Sequence, residues 1–419
     1  MNIVVFEDGL HDGFYPLSLT RPLWELRSGL FTFRERMELF AGSVGNLPRG
    51  DLCYFTRERL VPYCRERYPH LAINDLSLLE GGGEVLLVNA LLYPDERLEN
   101  LGPNSALFLG DIPVAARIDA ARVPRPVDGI FASLGELGLT RAGTIETGDA
   151  LRAGFIWELV VRNGERIALD WDLAGIRGNG DAAAGVTILG EGSQVYIGEG
   201  TRIEPHVVID ATSGPVFIGP WSRVDAFTRI EGPCAIGARC RILGGKIRSG
   251  TSLGDECRVG GEVEQSIFHG YVNKYHDGFI GHSYIGEWVN LGALTSNSDL
   301  KNDYSRVKVY TPKSRKRTGE KKLGCFIGDF VKTSIGTLIN TGTSIGPGAM
   351  LVHAGSLTPF HVPPFAWYMD GTIFRPGPLG DFIDTCREVM PRRGVEVTEG
   401  FIDMVTGLYE MTAGSEEGP

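Results

Sequence analysis

Residues 195–237 read VYIGEGTRIEPHVVIDATSGPVFIGPWSRVDAFTRIEGPCAIG, and within them an aliphatic residue followed by glycine or an acidic residue recurs about every six positions. The first three pairs are Ile197-Gly198, Ile203-Glu204 and Ile209-Asp210. A short, fixed internal period is the signature of a solenoid, and a hexapeptide period is typical of a parallel β-helix. We therefore expect each aliphatic side chain to point inward and to stack on its counterpart in the next coil.

The repeat extends in both directions from this stretch and is interrupted once. It runs on to Val259-Gly260, resumes at Ile280-Gly281 and continues to Leu351-Val352. The interruption predicts an inserted loop over residues 296–323, and long loops that leave a regular solenoid are usually functional or disordered. We predict that the β-helix spans residues 181–370.

The residues that follow the repeat predict a helical tail over 371–419. Within it, Phe382 to Met390 and Phe401 to Met411 have the pattern of helices. We expect these two helices to cap or to dock on the open end of the solenoid.

The residues before the repeat predict a different architecture over 1–180. Short apolar strands alternate with segments of helical spacing, which is typical of an α/β layer domain. The predicted strands are Ile3 to Phe6, Leu52 to Phe55, Val85 to Asn89 and Ala106 to Leu109, and the predicted helices are Ser28 to Phe40 and a connecting helix over Trp157 to Asn163.

Composition narrows the possible functions. The net charge of -11 argues against a general nucleic-acid or anionic-membrane binder, and the apolar runs are too short to span a membrane. The N-terminus lacks the layout of a signal peptide, so we expect a cytoplasmic protein. Seven scattered cysteines without a C-x-x-C pair indicate neither a disulfide framework nor a zinc site.

Residues 273–299, NKYHDGFIGHSYIGEWVNLGALTSNSD, resemble the acetyltransferase half of the bifunctional N-acetylglucosamine-1-phosphate uridylyltransferase/glucosamine-1-phosphate acetyltransferase family. That family has a catalytic histidine four residues before a Leu-Gly pair, and here His276 lies four residues before Ile280-Gly281. The resemblance implies a left-handed β-helix, a homotrimer with sites between subunits, and acetyl-CoA as a substrate.

The resemblance also implies roles for single residues. His276 would be the general base, with a solvent-exposed coil histidine as the alternative. Asn290 would hold the sugar or the tetrahedral intermediate, unless it is a corner residue in a stacked ladder. Further expected positions are Arg248, Phe279, Asn297, Asp299 and Lys301 for the substrate, of which Arg248 would clamp its phosphate, and Ala293 and Ser334 for acyl-CoA.

Two substrate contacts of the family are altered here. Phe279 stands where the family has tyrosine, and the family's substrate lysine falls near Gln265 or Ser266. We therefore expect an acceptor sugar other than glucosamine 1-phosphate, or a changed use of the site. The inserted loop is basic, and Lys313 and Arg315 are expected to bind the phosphates of coenzyme A or of a nucleotide. A solvated loop that touches a neighbouring subunit is the alternative.

The N-terminal part is similar to sugar-phosphate nucleotidyltransferases through residues 13–22, GFYPLSLTRP, and through Trp157-Glu158-Leu159. The family's glycine-rich loop after the first strand is missing, and its metal-binding N-G-D reads Asn89-Ala90-Leu91. Mg²⁺ is therefore expected only if this domain is active. Arg21, Arg27 and Asn89 are the expected nucleotide or phosphate contacts; alternatively, the arginines only cap a helix beside packed Trp24 and Leu26.

Together these features predict a Rossmann-like α/β nucleotidyltransferase domain followed by a left-handed parallel β-helix. The predicted function is acyl-CoA-dependent acylation of a sugar phosphate or nucleotide sugar, with His276 as general base. Nucleotidyl transfer in the N-terminal domain, and a non-catalytic trimer that binds nucleotide sugars, are the alternatives. No nucleic acid or membrane partner is expected.

Overall fold

The computed structural model describes residues 2–43, 52–80, 82–131, 134–145, 152–180, 184–352, 355–374 and 377–413. The N-terminal domain contains a seven-stranded mixed sheet whose first four strands are parallel. In spatial order the strands are Ala72–Ile73, Leu52–Tyr54, Asn2–Phe6, Glu84–Asn89, Ile112–Asp119, Ser105–Leu109 and Thr140–Ile145. Its α-helices are Phe33–Ser43, Val61–Arg67, Ser77–Glu80, Glu96–Glu99, Ile156–Val161 and Asn163–Leu173.

The helix predicted over residues 28–40 begins later than the sequence pattern indicates. Arg27–Ser28 and Phe31–Thr32 form a short antiparallel pair, and the helix starts at Phe33. The turn between the two strands contains Gly29 at a φ of 73°, a left-handed backbone conformation that glycine adopts without steric cost. Backbone turn geometry therefore overrides the apolar spacing of this segment.

The second part of the chain is a parallel β-helix, as the hexapeptide period predicts. Successive coils stack through three ladders of inward side chains, and nearly all of these side chains are fully buried. The ladders are Ile197–Ile218–Ile236–Leu253–Phe268–Ile285–Ile327–Ile345–Val362, Ile203–Val224–Ile242–Val259–Lys274, and Ile188–Ile209–Ile230–Ile247–Val263–Ile280. Each coil thus has three short sides and three corners.

The inserted segment contains an antiparallel hairpin, which we call the basic hairpin, with strands Lys308–Thr311 and Ser314–Arg317. The tail forms the helices Leu379–Val389 and Glu399–Ala413. No helix in the described ranges is long and apolar enough to traverse a bilayer.

The tail helices do not cap the open end of the solenoid, which corrects the expectation from sequence. They pack along its side, where the ring of Phe382 lies 5.2 Å from that of Phe365. The ring of Phe401 lies 5.4 Å from Phe330 of the β-helix and 5.9 Å from Tyr63 of the N-terminal domain. The aromatic rings at the coil corners therefore form the apolar surface on which the tail helices pack.

A buried group of charges joins the two domains, and we call Arg21, Arg67, Glu287 and Asp329 the interdomain ion cluster. Arg21 lies 2.7 Å from Asp329 and 3.5 Å from Glu287, and Arg67 lies 2.8 Å from Glu287. Burial opposes ionisation, yet Arg67 and Arg21 hold the pKa of Glu287 well below its usual range. Two guanidinium groups and two carboxylates balance each other in this interface.

Removing one charge of this cluster should destabilise the protein. Asp329→Asn keeps the shape of the side chain but leaves Arg21 without its closest carboxylate, and we expect the free energy of unfolding to fall by about 3 kcal/mol. Chemical denaturation at neutral pH measures the change. Asp303→Asn, at an exposed carboxylate 3.5 Å from Lys301, is the matched control and should change stability by less than about 0.5 kcal/mol. Equal effects of the two substitutions would contradict the role of the cluster.

Candidate functional site

A cavity of about 420 Å³ lies at one corner of the β-helix, beside His276. Its walls include Tyr275, Asp277, Ala293 and Leu294. The cavity therefore brings together two of the predicted site residues, His276 and Ala293, on neighbouring coils.

Glycine at the corners of the preceding coils makes room for this cavity. The corner column contains Phe227 and Leu294 with φ of 64° and 63°, and between them Gly244 and Gly261 with φ of 61° and 71°. A Cβ atom at Gly261 would lie 2.7 Å from the carbonyl oxygen of Gly278 and 2.7 Å from Nζ of Lys274. Glycine is thus required at position 261, and the corner is left open next to His276.

His276 is held through its backbone and is exposed at its ring. Its carbonyl oxygen accepts a hydrogen bond from Nζ of Lys274 at 3.0 Å, and its imidazole lies 5.3 Å from the ring of Tyr275. In the described part of the chain, no side chain forms a hydrogen bond with the imidazole. The imidazole is therefore free to meet a ligand in the cavity.

Lys274 was missed by the reasoning from sequence. It is 2% exposed and occupies an inward position directly after Val259 in its ladder. Its ammonium group also donates to the carbonyl oxygen of Gly260 at 2.7 Å, and burial lowers its pKa to about 8. The sequence could have indicated this residue, because a lysine stands where the hexapeptide period places an aliphatic residue.

Asn290 and Ser334 lie near the cavity but outside its walls. The side chain of Asn290 accepts a hydrogen bond from Nδ2 of Asn273 at 2.6 Å, which corresponds to the alternative of a stacked ladder. The backbone of Ser334 lies against Gly292 on the neighbouring coil, one residue from Ala293. Roles of Asn290 in catalysis and of Ser334 in acyl-CoA binding stay predictions.

Three further predicted substrate residues are engaged in the β-helix itself. The amide of Asn297 accepts from Gly281 N at 2.8 Å and donates to Gly281 O at 3.0 Å, so this residue supports the coil. Asp299 pairs with Nδ1 of His282 at 2.8 Å; partial burial opposes its ionisation, but this hydrogen bond lowers its pKa. The backbone N–H of Phe279 donates to Oγ of Ser296 at 3.1 Å. The structure does not place Asn297, Asp299 or Phe279 in the walls of the His276 cavity.

Arg248 lies among carboxylates rather than in a phosphate pocket. Its guanidinium group is 3.1 Å from Glu262, 3.5 Å from Glu231 and 3.9 Å from Glu264. An anionic substrate would have to replace at least one of these partners.

The structure corrects the expected use of Arg21 and Arg27 in nucleotide binding. Arg21 belongs to the interdomain ion cluster. Arg27 donates through Nη1 to the carbonyl oxygen of Leu30 at 2.7 Å, and its backbone N–H donates to the hydroxyl of Tyr284 at 2.8 Å. Arg21 thus joins the N-terminal domain to the β-helix through its side chain, and Arg27 does so through its backbone.

The carboxyl edge of the N-terminal sheet carries acidic groups that are already bound. Glu7 is fully buried and pairs with Arg57 at 2.8 Å. Asp8 accepts from Nδ2 of Asn89 at 2.8 Å and from Arg152 at 2.5 Å. These residues do not fit a Mg²⁺ ion, because the oxygens of Asp8 and Asn89 accept from amides and from Arg152, and no cluster of three metal-ligating residues exists in the described ranges. Asn89 therefore orients Asp8 and Arg152.

The remaining predicted residues lie on or beside the basic hairpin. Lys313 pairs with Asp12 of the N-terminal domain at 2.8 Å. Lys301 and Arg315 line a second cavity, at a different corner from His276.

The chain has similarity to known proteins in both parts. Residues 3–176 match the sugar nucleotidyl transferase family. An uncharacterized acetyltransferase of Escherichia coli O6:K15:H31 (strain 536 / UPEC) is 31% identical over 153 residues, which make up 36% of this chain and 66% of that protein. The bifunctional protein GlmU of Alkalilimnicola ehrlichii is 29% identical over 266 residues, 61% of this chain and 52% of the relative. The chain thus spans between half and two thirds of the length of these curated relatives.

Among solved structures, the UDP-N-acetylglucosamine acyltransferase from Campylobacter jejuni aligns with 54% of this chain and 94% of its own. The sequence identity is 14% and the TM-score is 0.22. The chain is thus similar to bifunctional GlmU proteins, and its residues 3–176, which match the sugar nucleotidyl transferase family, lie in front of a β-helix.

Proposed function

We propose that this protein is an acyltransferase that uses acyl-CoA to acylate a sugar phosphate or a nucleotide sugar at the His276 cavity. The observation that carries the proposal is the exposed imidazole of His276 in a corner cavity kept open by glycine. Imidazole is the side chain most often used as a general base. The relative whose name is uncharacterized acetyltransferase supports the same reaction class.

The chemistry follows from the position of the imidazole. His276 accepts a proton from an amine or hydroxyl of the acceptor as that group attacks the thioester carbonyl carbon. The tetrahedral intermediate then breaks its carbon–sulfur bond, and the thiolate leaves with the proton returned from the imidazolium. Lys274 acts as a positioning residue, because it holds the backbone of His276 and does not itself reach the cavity.

The acceptor is expected to differ from glucosamine 1-phosphate. Arg248, the expected phosphate clamp, is shared among three carboxylates, and Phe279, which has no hydroxyl where the family has tyrosine, lies outside the walls of the cavity. An acceptor phosphate would have to compete with these carboxylates for the guanidinium group of Arg248. A panel of amino-sugar and hydroxy-sugar phosphates therefore belongs in the assay.

His276→Ala should abolish acyl transfer. Loss of a general base lowers the rate by about 100-fold or more, and release of the coenzyme A thiol from acetyl-CoA in the presence of the sugar panel measures it. His282→Ala is the matched control, since His282 lies buried beside Asp299 and should leave the transfer rate within about threefold of wild type. Equal rates for wild type and His276→Ala would overturn the proposed function.

We also propose that the protein acts as a homotrimer in the cytoplasm. Support for the assembly comes from exposed apolar residues on the face of His276: Phe227 is 77% exposed, Leu294 57% and Ile335 69%. Clustered exposed apolar side chains are typical of interaction surfaces. Seven free, buried cysteines support a reducing compartment.

Light scattering tests the assembly. We expect a mass about three times the 45.6 kDa of one chain, and Leu294→Asp should shift it towards the mass of one chain because a charge would be buried in the interface. Ile112→Asp, at an exposed isoleucine of the N-terminal sheet, is the control. A wild-type mass of one chain would exclude sites that need two copies.

Lys274 should give the stability of the protein a distinct pH dependence. Its folded pKa of about 8 lies below the ordinary lysine value of 10.5, so the unfolded chain binds more protons between these values, and folding becomes more favourable as pH rises through them. The unfolding free energy of wild type, taken relative to that of Lys274→Met, should therefore rise by about 2 kcal/mol between about pH 7 and pH 9.5.

Chemical denaturation across this range measures the difference. Comparing the two proteins removes the effect of the buried cysteine thiols, whose raised pKa values act in the opposite direction in both. A constant difference at all pH values would show that Lys274 is not buried as a charged group.

A further inference from the structure

The cavity beside the basic hairpin has a volume of about 520 Å³, and we call it the hairpin cavity. Its walls contain five cationic side chains, those of Lys301, Arg306, Lys308, Arg315 and Arg317. Phe360 and Thr341 of the β-helix complete it on the opposite side. A cavity of this size falls in the range of small-molecule sites in proteins.

The register of the hairpin concentrates positive charge on this cavity. Lys308 lies directly opposite Arg317, and Arg315 lies two residues before Arg317 on the same strand. Because side chains alternate between the two faces of a strand, Lys316 points to the other face and does not line the cavity. Like charges directly opposite each other in a sheet are destabilising. The arrangement therefore calls for an anion between these side chains.

Two lysines of the insertion that do not line the cavity lie near carboxylates of other elements. Lys313 pairs with Asp12 at 2.8 Å, and Lys322 lies 3.9 Å from Glu264. Within the described ranges, Lys308, Arg315 and Arg317 form no ion pair with a carboxylate. The two lysines that attach the insertion to the molecule are neutralised, whereas the three side chains of the cavity carry charges that no carboxylate neutralises.

The hairpin is fixed to the body of the molecule. The ring of Tyr310 stacks on that of His361 at 3.8 Å, and Nε2 of His361 forms a 2.8 Å hydrogen bond with the hydroxyl of Tyr15. Burial lowers the pKa of His361 to about 4, so this stack adds no further positive charge at neutral pH. The strands that carry these cations are therefore held in place before a ligand arrives, which favours binding.

The wall at Phe360 adds an apolar surface to the charged one. The guanidinium of Arg315 lies 4.1 Å from the centre of the Phe360 ring, which is partly exposed. Stacking on an aromatic ring and hydrogen bonding to phosphate oxygens are both suited to arginine. The cavity thus combines several phosphate-binding groups with one flat apolar contact.

We propose that the hairpin cavity binds a nucleotide through at least two phosphate groups. Two sources share this chemistry, the phosphates of coenzyme A and the diphosphate of a nucleotide sugar. The assignment of the ligand to the acyl donor or to the acceptor rests on the proposed acyl transfer, whereas the binding of a phosphorylated nucleotide does not.

Isothermal titration calorimetry on the full chain tests the site with coenzyme A, 3′-dephospho-coenzyme A and UDP as probes. Lys308→Gln/Arg317→Gln should raise the Kd of the bound probe by about tenfold or more, because two charge-assisted contacts are lost. Lys316→Gln removes one charge from the other face of the hairpin and should change the Kd by less than about twofold. Higher salt should weaken binding to wild type more than to the double variant.

The outcomes separate the two sources and the two proposals. Tighter binding of coenzyme A than of its 3′-dephospho form assigns the cavity to the acyl donor, and equally tight binding of UDP assigns it to a nucleotide sugar. Failure of all three probes to bind, or an equal effect of Lys316→Gln and the double variant, overturns the inference. His276→Ala should bind the probes like wild type, so loss of transfer in that variant leaves this site intact.

Discussion

The stacking of inward side chains along three ladders is the constraint on which the rest of this molecule depends. Each coil must return to the same register after every turn, so its backbone bends at three corners with left-handed geometry. Side chains at the corners are left out of the ladders and face outward. The corner columns are therefore where this β-helix meets other groups, and each column serves a different purpose.

One column is apolar and aromatic, and it docks other parts of the chain. Tyr271, Trp288, Phe330 and Phe365 occupy its left-handed positions, and the rings of Tyr271 and Trp288 stack at 4.2 Å. The tail helices and helix Val61–Arg67 pack beside it. A second column contains glycine next to His276, and a third sends out the insertion with the basic hairpin. The aromatic docking surface, the His276 cavity and the basic hairpin thus lie at three different corners of the β-helix.

The fold could be predicted from sequence to the extent that it depends on local repetition. The hexapeptide period marks inward positions one coil at a time, so the β-helix and its interruption followed directly. The roles of Arg21 and Arg27 could not be predicted, because their partners Asp329 and Tyr284 lie more than 250 residues away and nothing local indicates an ion pair. Lys274 was within reach, since a lysine at an inward position breaks the same period that predicted the fold.

The carboxyl edge of the N-terminal sheet differs from that of sugar-phosphate nucleotidyltransferases, although the sheet itself is present. Where a phosphate-binding loop would follow the first strand, this chain has Glu7 and Asp8, and their charges are met by Arg57 and Arg152 of the same domain. The cost of burying these carboxylates is offset only while the arginines stay in place. A phosphate or a metal ion at this edge would have to separate those pairs, so the edge is organised for stability.

The His276 cavity and the hairpin cavity lie at different corners of the β-helix. His276 lies at the corner that follows the Lys274 ladder, and the hairpin cavity lies at the corner that follows the Ile280 ladder, so one side of the β-helix separates them. A donor held by its phosphates at the hairpin must reach a histidine around that side or on another copy. In a closed trimer, the corner of one β-helix faces a different corner of its neighbour. If the hairpin cavity holds the donor, His276 of the same chain can be reached only around that side, and a closed trimer would add His276 of a neighbouring copy as a second route.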